Sequence, residues 1–167
     1  MQLNHYNTNF KPRQFPITLV CDHVTNALNI GSLFRIADAF GVKKLIFCGE
    51  SIPLGRKMTK TSRATEKVVN HEVNKSVLEV VINLKDQDNY IVSLEITDAS
   101  NPIDSFLFPE NKSITLVIGD ENFGVSENIL KLSDAVIHIN MFGQNSSMNV
   151  VQATNIALYE ITKQLLK

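Results

Sequence analysis

Short apolar stretches alternate along the chain with longer amphipathic segments. The stretches are rich in β-branched residues and have the length of strands, whereas the segments carry apolar residues at the spacing of one helical face. We predict strands at Ile17 to Cys21, Lys44 to Cys48, Tyr90 to Leu94, Ile114 to Ile118 and Ala135 to Ile139. We predict helices at Ile30 to Phe40, Ser76 to Gln87, Ser126 to Leu132 and Asn149 to Leu166. Continuous apolar strands separated by helices predict an α/β protein, with a parallel sheet that has helices on both faces.

Helix boundaries and composition agree with this fold class. Asn74 or Ser76 can cap the helix that begins near residue 76, and Gly41 follows the first helix, where a left-handed residue commonly ends a helix. The chain has 167 residues and is 44% hydrophobic. A chain of this size and composition can bury one core, so we predict a single domain over residues 1–167.

Charge and cysteine usage narrow the possible functions. The net charge of -1 excludes a uniformly basic nucleic-acid binder, although a local basic patch can still attract a polyanion. The apolar runs are too short to span a membrane and Met1 to Phe10 is polar, so we expect a cytoplasmic protein without a signal peptide. Cys21 and Cys48 lie in apolar runs outside any metal-binding spacing, which predicts buried, reduced thiols and no metal site.

Three polar loops follow predicted strands. In parallel sheets, ligands bind at the carboxyl ends of the strands, so the loops after Leu94, Ile118 and Ile139 are the candidate site. The last of them, "NMFGQNSSMNV", has almost no aliphatic anchor before the final helix and is long for a connection in an α/β domain. His138 lies inside a predicted strand and is interpreted as structural.

The loop "GDENFG", Gly119 to Gly124, lacks the sequence of a phosphate-binding loop. No Lys-Ser/Thr pair follows the second glycine and no Gly-x-Gly-x-x-Gly spacing is present. One interpretation is a tight turn in which Ser126 caps the next helix and Glu127 lies in its first turn. The acidic pair Asp120 and Glu121 instead favours a ligand with hydroxyl groups or a positive charge, because carboxylates repel phosphate.

The segment "GRKMTKTSRATEK" is basic within a weakly acidic chain. It contains five cations and one acid, Glu66. The cations are Arg56, Lys57, Lys60, Arg63 and Lys67. Such a run is either a solvated loop or a surface that contacts phosphates with strong salt dependence.

Three segments together resemble the SpoU, or TrmH-like, branch of the SPOUT class of RNA methyltransferases. "NIGSLFRIADAFGV" (Asn29 to Val42) resembles its first motif, "IGDENFGVS" (Ile118 to Ser126) its second, and "INMFGQNSSMNVVQATNIALYE" (Ile139 to Glu160) its third. Their order and spacing also match, and they extend over nearly the whole chain. Ala27 and Asn140 stand where family members usually have proline.

The resemblance implies a fold and a set of partners. The expected fold is a SPOUT-like parallel sheet whose carboxyl-terminal part forms a trefoil knot, in a homodimer with the first-motif helix and the last helix near the subunit contact. The expected methyl donor is S-adenosylmethionine, held by the knot loops. The implied cofactor-binding residues are Leu94, Gly119, Glu121, Gly124, Ile139, Met141, Ser147, Met148 and Asn149.

The implied activity is methyl transfer to a ribose 2′-hydroxyl of RNA, with tRNA favoured over rRNA. The catalytic candidates are Arg35, Asn29, Glu121, Ser147 and Asn149. The RNA-binding candidates are Arg35, Arg56, Lys57, Lys60 and Arg63. Because a guanidinium stays protonated, we assign Arg35 to gripping a phosphate and orienting the hydroxyl rather than to removing its proton. The alternative function is a catalytically inactive knotted dimer that binds RNA.

Overall fold

A computed structural model describes residues 8–167 and contains seven strands and five α-helices over that range. The strands are β1 (Phe15–Asp22), β2 (Val42–Cys48), β3 (His71–Asn74), β4 (Tyr90–Leu94), β5 (Asn101–Pro102), β6 (Ile114–Gly119) and β7 (Ala135–His138). The helices are α1 (Ala27–Ala39), α2 (Arg56–Ser62), α3 (Val77–Asp86), α4 (Glu127–Leu132) and α5 (Val150–Leu165). The prediction that Met1 to Phe10 contains no signal peptide falls largely on residues 1–7, outside the described residues.

The strands form one sheet in the order β3-β2-β1-β6-β4-β7-β5, and every pairing within it is parallel. Alternate residues of β1 enter two different clusters, since Leu19 packs with Phe34 of α1 whereas Val20 packs with Val80 of α3. Helices α1 and α5 therefore cover one face of the sheet, and α3 and α4 cover the other. The predicted α/β class with a parallel sheet is confirmed.

The predicted elements are present, with shifted ends. Helix α1 begins three residues before the predicted Ile30, because the Asn26 side chain accepts hydrogen bonds from the backbone N–H groups of Leu28 and Asn29. The predicted cap at Ser76 is confirmed by a hydrogen bond from the Glu79 N–H to its hydroxyl. Gly41 has a φ of 59°, which confirms the left-handed end of α1.

Three elements were not predicted. Strand β3 is an edge strand whose residues are exposed or half-buried, so it lacks an apolar run. Strand β5 has two residues, which is too short for any pattern. Helix α2 buries Met58 and Ser62 and is otherwise polar, so its sequence resembles a solvated loop. Each element depends on contacts with the sheet or with α1 rather than on its own pattern.

Both cysteines are free and buried, as predicted. They lie on opposite faces of the sheet, since Cys21 packs in the cluster with α1 and Cys48 in the cluster with α3. Burial raises the pKa of Cys48 to about 12, and burial also raises the pKa of Cys21. Both thiols therefore stay protonated at neutral pH. Among the described helices, none combines the length and the apolar character needed to cross a membrane.

Candidate functional site

A cavity of about 500 Å³ lies at the carboxyl ends of β4, β6 and β7. Its walls come from the three loops that the sequence indicated, the ones after Leu94, Ile118 and Ile139, together with the first residues of α5. Parallel strands bring these loops to one edge of the sheet although they are far apart in the chain. The volume lies within the range of sites for small molecules and cofactors.

The turn at residues 119–124 is tightly closed. The Gly124 N–H donates to the Asp120 carbonyl at 2.8 Å, and the Asp120 carboxylate accepts from the N–H groups of Asn122 and Phe123 at 2.8 and 3.3 Å. A Cβ on Gly119 would lie 2.0 Å from the carbonyl carbon of Gly124, so only glycine fits there. The turn therefore holds Glu121 at the rim of the cavity.

Two carboxylates from the strands that flank β6 hold the end of this loop. Asp22, the last residue of β1, is 1% exposed and accepts from the backbone N–H of Ser126 at 2.9 Å. Glu95, which follows β4, accepts from the backbone N–H of Val125 at 2.9 Å. The loop after the central strand is thus fastened on both sides to its neighbours. Sequence reasoning missed both carboxylates, although each stands where a strand ends.

Ser126 does not cap α4 with its side chain, contrary to one interpretation of the sequence. It occupies the N-cap position, but its hydroxyl donates to the buried Asp22 carboxylate instead. The reason is that Asp22 needs hydrogen-bond donors in a buried site, and it also accepts from His23 Nδ1 at 2.6 Å. Glu127 lies in the first turn of α4, as predicted, and pairs with Lys131.

Three predicted catalytic residues, Asn29, Glu121 and Asn149, are joined by hydrogen bonds at one carboxylate oxygen of Glu121. Glu121 Oε1 accepts from the side-chain amides of Asn29 at 2.8 Å and Asn149 at 2.7 Å, while the two asparagines lie 3.3 Å apart, Nδ2 to Oδ1. Asn29 comes from α1, Glu121 from the loop after β6, and Asn149 is the N-cap of α5. We call these residues the amide–carboxylate cluster. It joins the three motifs at one point beside the cavity.

The other predicted cofactor-binding residues line the cavity. They are Leu94, Gly119, Gly124, Ile139, Met141, Ser147 and Met148. Glu121 lines it as well, and Asn149 reaches it through its hydrogen bond to Glu121. The structure therefore brings this set together around one space.

His138, interpreted from the sequence as structural, also lines this cavity. Its Nδ1 lies 2.9 Å from the Ser100 hydroxyl, which connects β7 to the loop after β4. No periodic signal distinguishes it, because a strand that ends at a site looks like any other strand. Within residues 8–167, no group of three or more His, Cys, Asp or Glu residues has the arrangement of a metal site.

Arg35 lies apart from the cavity walls. It is exposed on α1, and its side chain forms no hydrogen bond or ion pair with the described residues. The structure thus leaves its guanidinium available to an external anion. It does not bring Arg35 into the amide–carboxylate cluster.

The basic segment, residues 56–67, packs against α1. Gly31 of α1 leaves no room for a Cβ, which would meet the Met58 carbonyl oxygen at 2.2 Å, and the Thr61 hydroxyl donates to the Leu28 carbonyl at 2.9 Å. The predicted RNA-binding cations of this segment are exposed and make no ion pair with any residue from 8 to 167. They are Arg56, Lys57, Lys60 and Arg63. The segment therefore places unpaired positive charge next to the helix that carries Arg35 and Asn29.

Comparison with known proteins gives relatives of the predicted kind. The chain is 31% identical over 172 residues to a 23S rRNA (guanosine-2′-O-)-methyltransferase of Haemophilus ducreyi, covering 99% of this chain and 68% of that protein. The solved TrmH/SpoU tRNA modifying enzyme of A. aeolicus superposes with a TM-score of 0.82 at 28% identity, covering 91% of this chain and 76% of that one.

A third relative was solved with a ligand. The SpoU methyltransferase AviRb of Streptomyces viridochromogenes, in complex with the cofactor AdoMet, superposes with a TM-score of 0.81 at 25% identity, covering 93% of this chain and 60% of that one. The chain thus spans between 60% and 76% of the lengths of these three proteins.

The family model described as SpoU rRNA methylase matches residues 16–159. This match contains the first two motifs, all of the third except its last residue, Glu160, and the whole amide–carboxylate cluster. The family predicted from those motifs is confirmed: the chain belongs to the SpoU rRNA methylase family.

Proposed function

We propose that this protein transfers a methyl group from S-adenosylmethionine to a ribose 2′-hydroxyl of structured RNA. The observation that carries the proposal is the amide–carboxylate cluster beside the cavity, because it assembles one residue from each of the three family motifs. The named activities of the relatives, rRNA and tRNA modification, support the same class of reaction.

The cavity suits the methyl donor chemically. Bound S-adenosylmethionine supplies an electrophilic methyl group on a positively charged sulfonium. The walls contain apolar side chains such as Ile118 and Met148 for an adenosine ring, and the carboxylates of Glu95, Asp120 and Glu121 for a positive charge. The same carboxylates disfavour a nucleotide phosphate at this place. AviRb, solved with AdoMet, has this fold.

The chain's own residues supply orientation around this space. Glu121 Oε1 is engaged by Asn29 and Asn149, so the carboxylate has a fixed direction and keeps Oε2 for a hydroxyl or another donor. Ser147 adds a hydroxyl at the cavity wall. A ribose hydroxyl is a poor nucleophile, and fixing its direction towards the methyl donor lowers the barrier by reducing the entropy lost at reaction.

Arg35 acts on the RNA rather than on the cofactor in this proposal. Its exposed guanidinium, without a partner in the part of the chain described here, can hold a phosphate through two parallel hydrogen bonds. The phosphate next to the acceptor ribose then sets the position of the 2′-hydroxyl. In a homodimer, Arg35 of one subunit can serve a site to which the other subunit contributes the cavity.

The wider arrangement that we propose follows the family. We expect residues 1–167 to act as one domain, with a trefoil knot formed by the segment from β6 to α5, in a cytoplasmic homodimer. Exposed apolar residues on α5, Ile156 and Tyr159, support a subunit contact on this helix. RNA is the partner, tRNA in preference to rRNA, and the basic segment supplies phosphate contacts.

The test is incubation with radiolabelled S-adenosylmethionine and bulk tRNA or rRNA, followed by nucleoside mass spectrometry. We expect a 2′-O-methylated nucleoside from the unmodified protein and none from Arg35→Ala. Arg35→Lys keeps the charge but loses the paired hydrogen bonds, so we expect strongly reduced turnover. Cofactor binding without transfer to either RNA pool would support the inactive RNA-binding dimer instead.

A further inference from the structure

Two phenylalanine rings are exposed on the loops that form the cavity. Of the nine phenylalanines in the chain, six are buried or packed against the core. Phe123, on the loop after β6, is 90% exposed, and Phe142, on the loop after β7, is 95% exposed. Phe123 lines the cavity, and Phe142 directly follows Met141, which also lines it. Leaving such a ring in water forgoes roughly 2 kcal/mol of burial, so two exposed rings on the loops that form one cavity indicate a binding surface.

Phe123 lies in a turn whose backbone is held by hydrogen bonds. The Phe123 N–H and the Gly124 N–H both donate to Asp120, and the contact between Gly119 and Gly124 closes the turn behind the ring. The backbone around Phe123 is therefore fixed, and its ring is 90% exposed in this conformation.

The charges near the rings determine which part of RNA fits. Asp120 and Glu121 lie three and two residues before Phe123, and Glu95 lines the same cavity. Three carboxylates disfavour phosphate here, whereas the basic segment, which packs against α1, has the charge that phosphates require. An uncharged nucleobase suits an acidic rim that carries aromatic rings, because stacking needs a π-face and no counter-charge.

We infer that Phe123 and Phe142 stack on unpaired nucleobases of the RNA that is presented to the cavity. The inference rests on the proposed function. It divides recognition into two physically distinct parts, with base stacking at the acidic rim and phosphate contacts at the basic segment. Stacking tolerates every base, so the two rings select unpaired RNA over duplex rather than one sequence.

The test uses separate Phe123→Leu and Phe142→Leu variants, which keep apolar volume but lose the π-face. Loss of one stacked base corresponds to roughly a 5- to 150-fold change. We therefore expect at least about a fivefold increase in the KM for tRNA, with the KM for S-adenosylmethionine within about twofold of the unmodified protein. Phe123→Trp should keep the KM for tRNA. Phe10→Leu, at a ring that is 88% exposed outside the cavity walls, is the matched control and should change nothing.

The chain contains no tryptophan, so Phe123→Trp also provides a single fluorophore. We expect its emission to be quenched by single-stranded RNA without the cofactor, and less by duplex RNA of the same sequence. Failure of the proposed function would show as no methyl transfer by the unmodified protein, whereas failure of this inference would show as no quenching.

Three other results would overturn the inference. An unchanged KM for tRNA in both leucine variants would remove any role in RNA binding. A raised KM for S-adenosylmethionine alone would assign the rings to the cofactor. A change in sedimentation from dimer to monomer would assign them to contact with a second copy of the chain.

Discussion

The loop after β6 and the basic segment differ in how their charged side chains are held. In the loop, the carboxylates of Asp120 and Glu121 accept hydrogen bonds, and those of Asp22 and Glu95 hold its end. In the basic segment, the predicted cations are exposed and have no ion-pair partner within residues 8–167. Chemistry at one oxygen atom requires fixed geometry, whereas attraction of a polyanion requires only charge at the surface. The hydrogen-bonded loop therefore fits a candidate reaction site, whereas the exposed basic segment fits a surface that attracts a polyanion.

The largest expected effect is at the amide–carboxylate cluster. Glu121→Ala removes the acceptor that holds Asn29 and Asn149, and the resulting misplacement should lower kcat by about 100-fold. Glu121→Gln retains one amide oxygen, so it should lose less if hydrogen bonding rather than charge is required. Single-turnover methylation of tRNA measures both. Equal, near-full rates in the two variants would contradict the role of the cluster.

The close packing of the loop is tested at Gly119. A Cβ there meets the Gly124 backbone at 2.0 Å, so Gly119→Ala should destabilise the fold by about 2 kcal/mol and lower the Tm by roughly 6 °C. Gly143→Ala is the matched control, because a Cβ there meets nothing within 4 Å. Thermal denaturation followed by circular dichroism measures both. Similar Tm values for the two variants would mean that the turn opens at little cost.

We expect substitutions in the basic segment to weaken RNA binding without disturbing the fold. Replacing Lys57, Lys60 and Arg63 by Gln should weaken tRNA binding roughly tenfold and reduce the slope of log K against log salt by about 2, with cofactor affinity unchanged. A triple variant at Lys112, Lys131 and Lys163 changes the net charge equally, at cations that are already paired. Filter binding across salt concentrations measures both. The same slope in both variants would make the segment a solvated loop.

The smallest expected effect concerns Asp134, a carboxylate held by hydrogen bonds outside the cavity walls. Partial burial opposes its ionisation, but hydrogen bonds from Lys85 and from the Ile91 N–H outweigh this and lower the pKa of Asp134. A lowered folded-state pKa contributes stability above the unfolded value of about 3.9, and this stability is lost as pH falls through the folded value.

Asp134→Asn should therefore cost about 1 kcal/mol at pH 7 and much less at about pH 3, with kcat unchanged. Denaturant unfolding at both pH values, together with methylation rates, measures this. Asp86→Asn, at an exposed carboxylate without an ion pair among residues 8–167, is the control. A fall in kcat for Asp134→Asn would contradict this prediction, because it would show that Asp134 contributes to the reaction as well as to the stability of the fold.

Much of the fold was predictable because burial leaves a periodic pattern. The strands at Tyr90–Leu94 and Ile114–Gly119 are continuous apolar runs, and helix α5 has an apolar face. Strand β3 and helix α2 could not be predicted, because their residues are mostly exposed and contacts with neighbouring elements determine their conformation. The same reason explains why Asp22 and Glu95 were missed, since a carboxylate after a strand gives no sign of what it will hold.

The sequence by itself determined the α/β class, the three loops of the site and the SpoU family, since apolar periodicity and motif order are local properties of the chain. Only the tertiary structure decided that the side-chain amides of Asn29 and Asn149 meet at one carboxylate oxygen of Glu121. It also decided that the Ser126 hydroxyl donates to Asp22 instead of capping α4, and that Arg35 lies outside the cavity walls. These facts depend on side chains up to 120 positions apart in the chain. Their distances are set by strand order and helix packing, which no local pattern encodes.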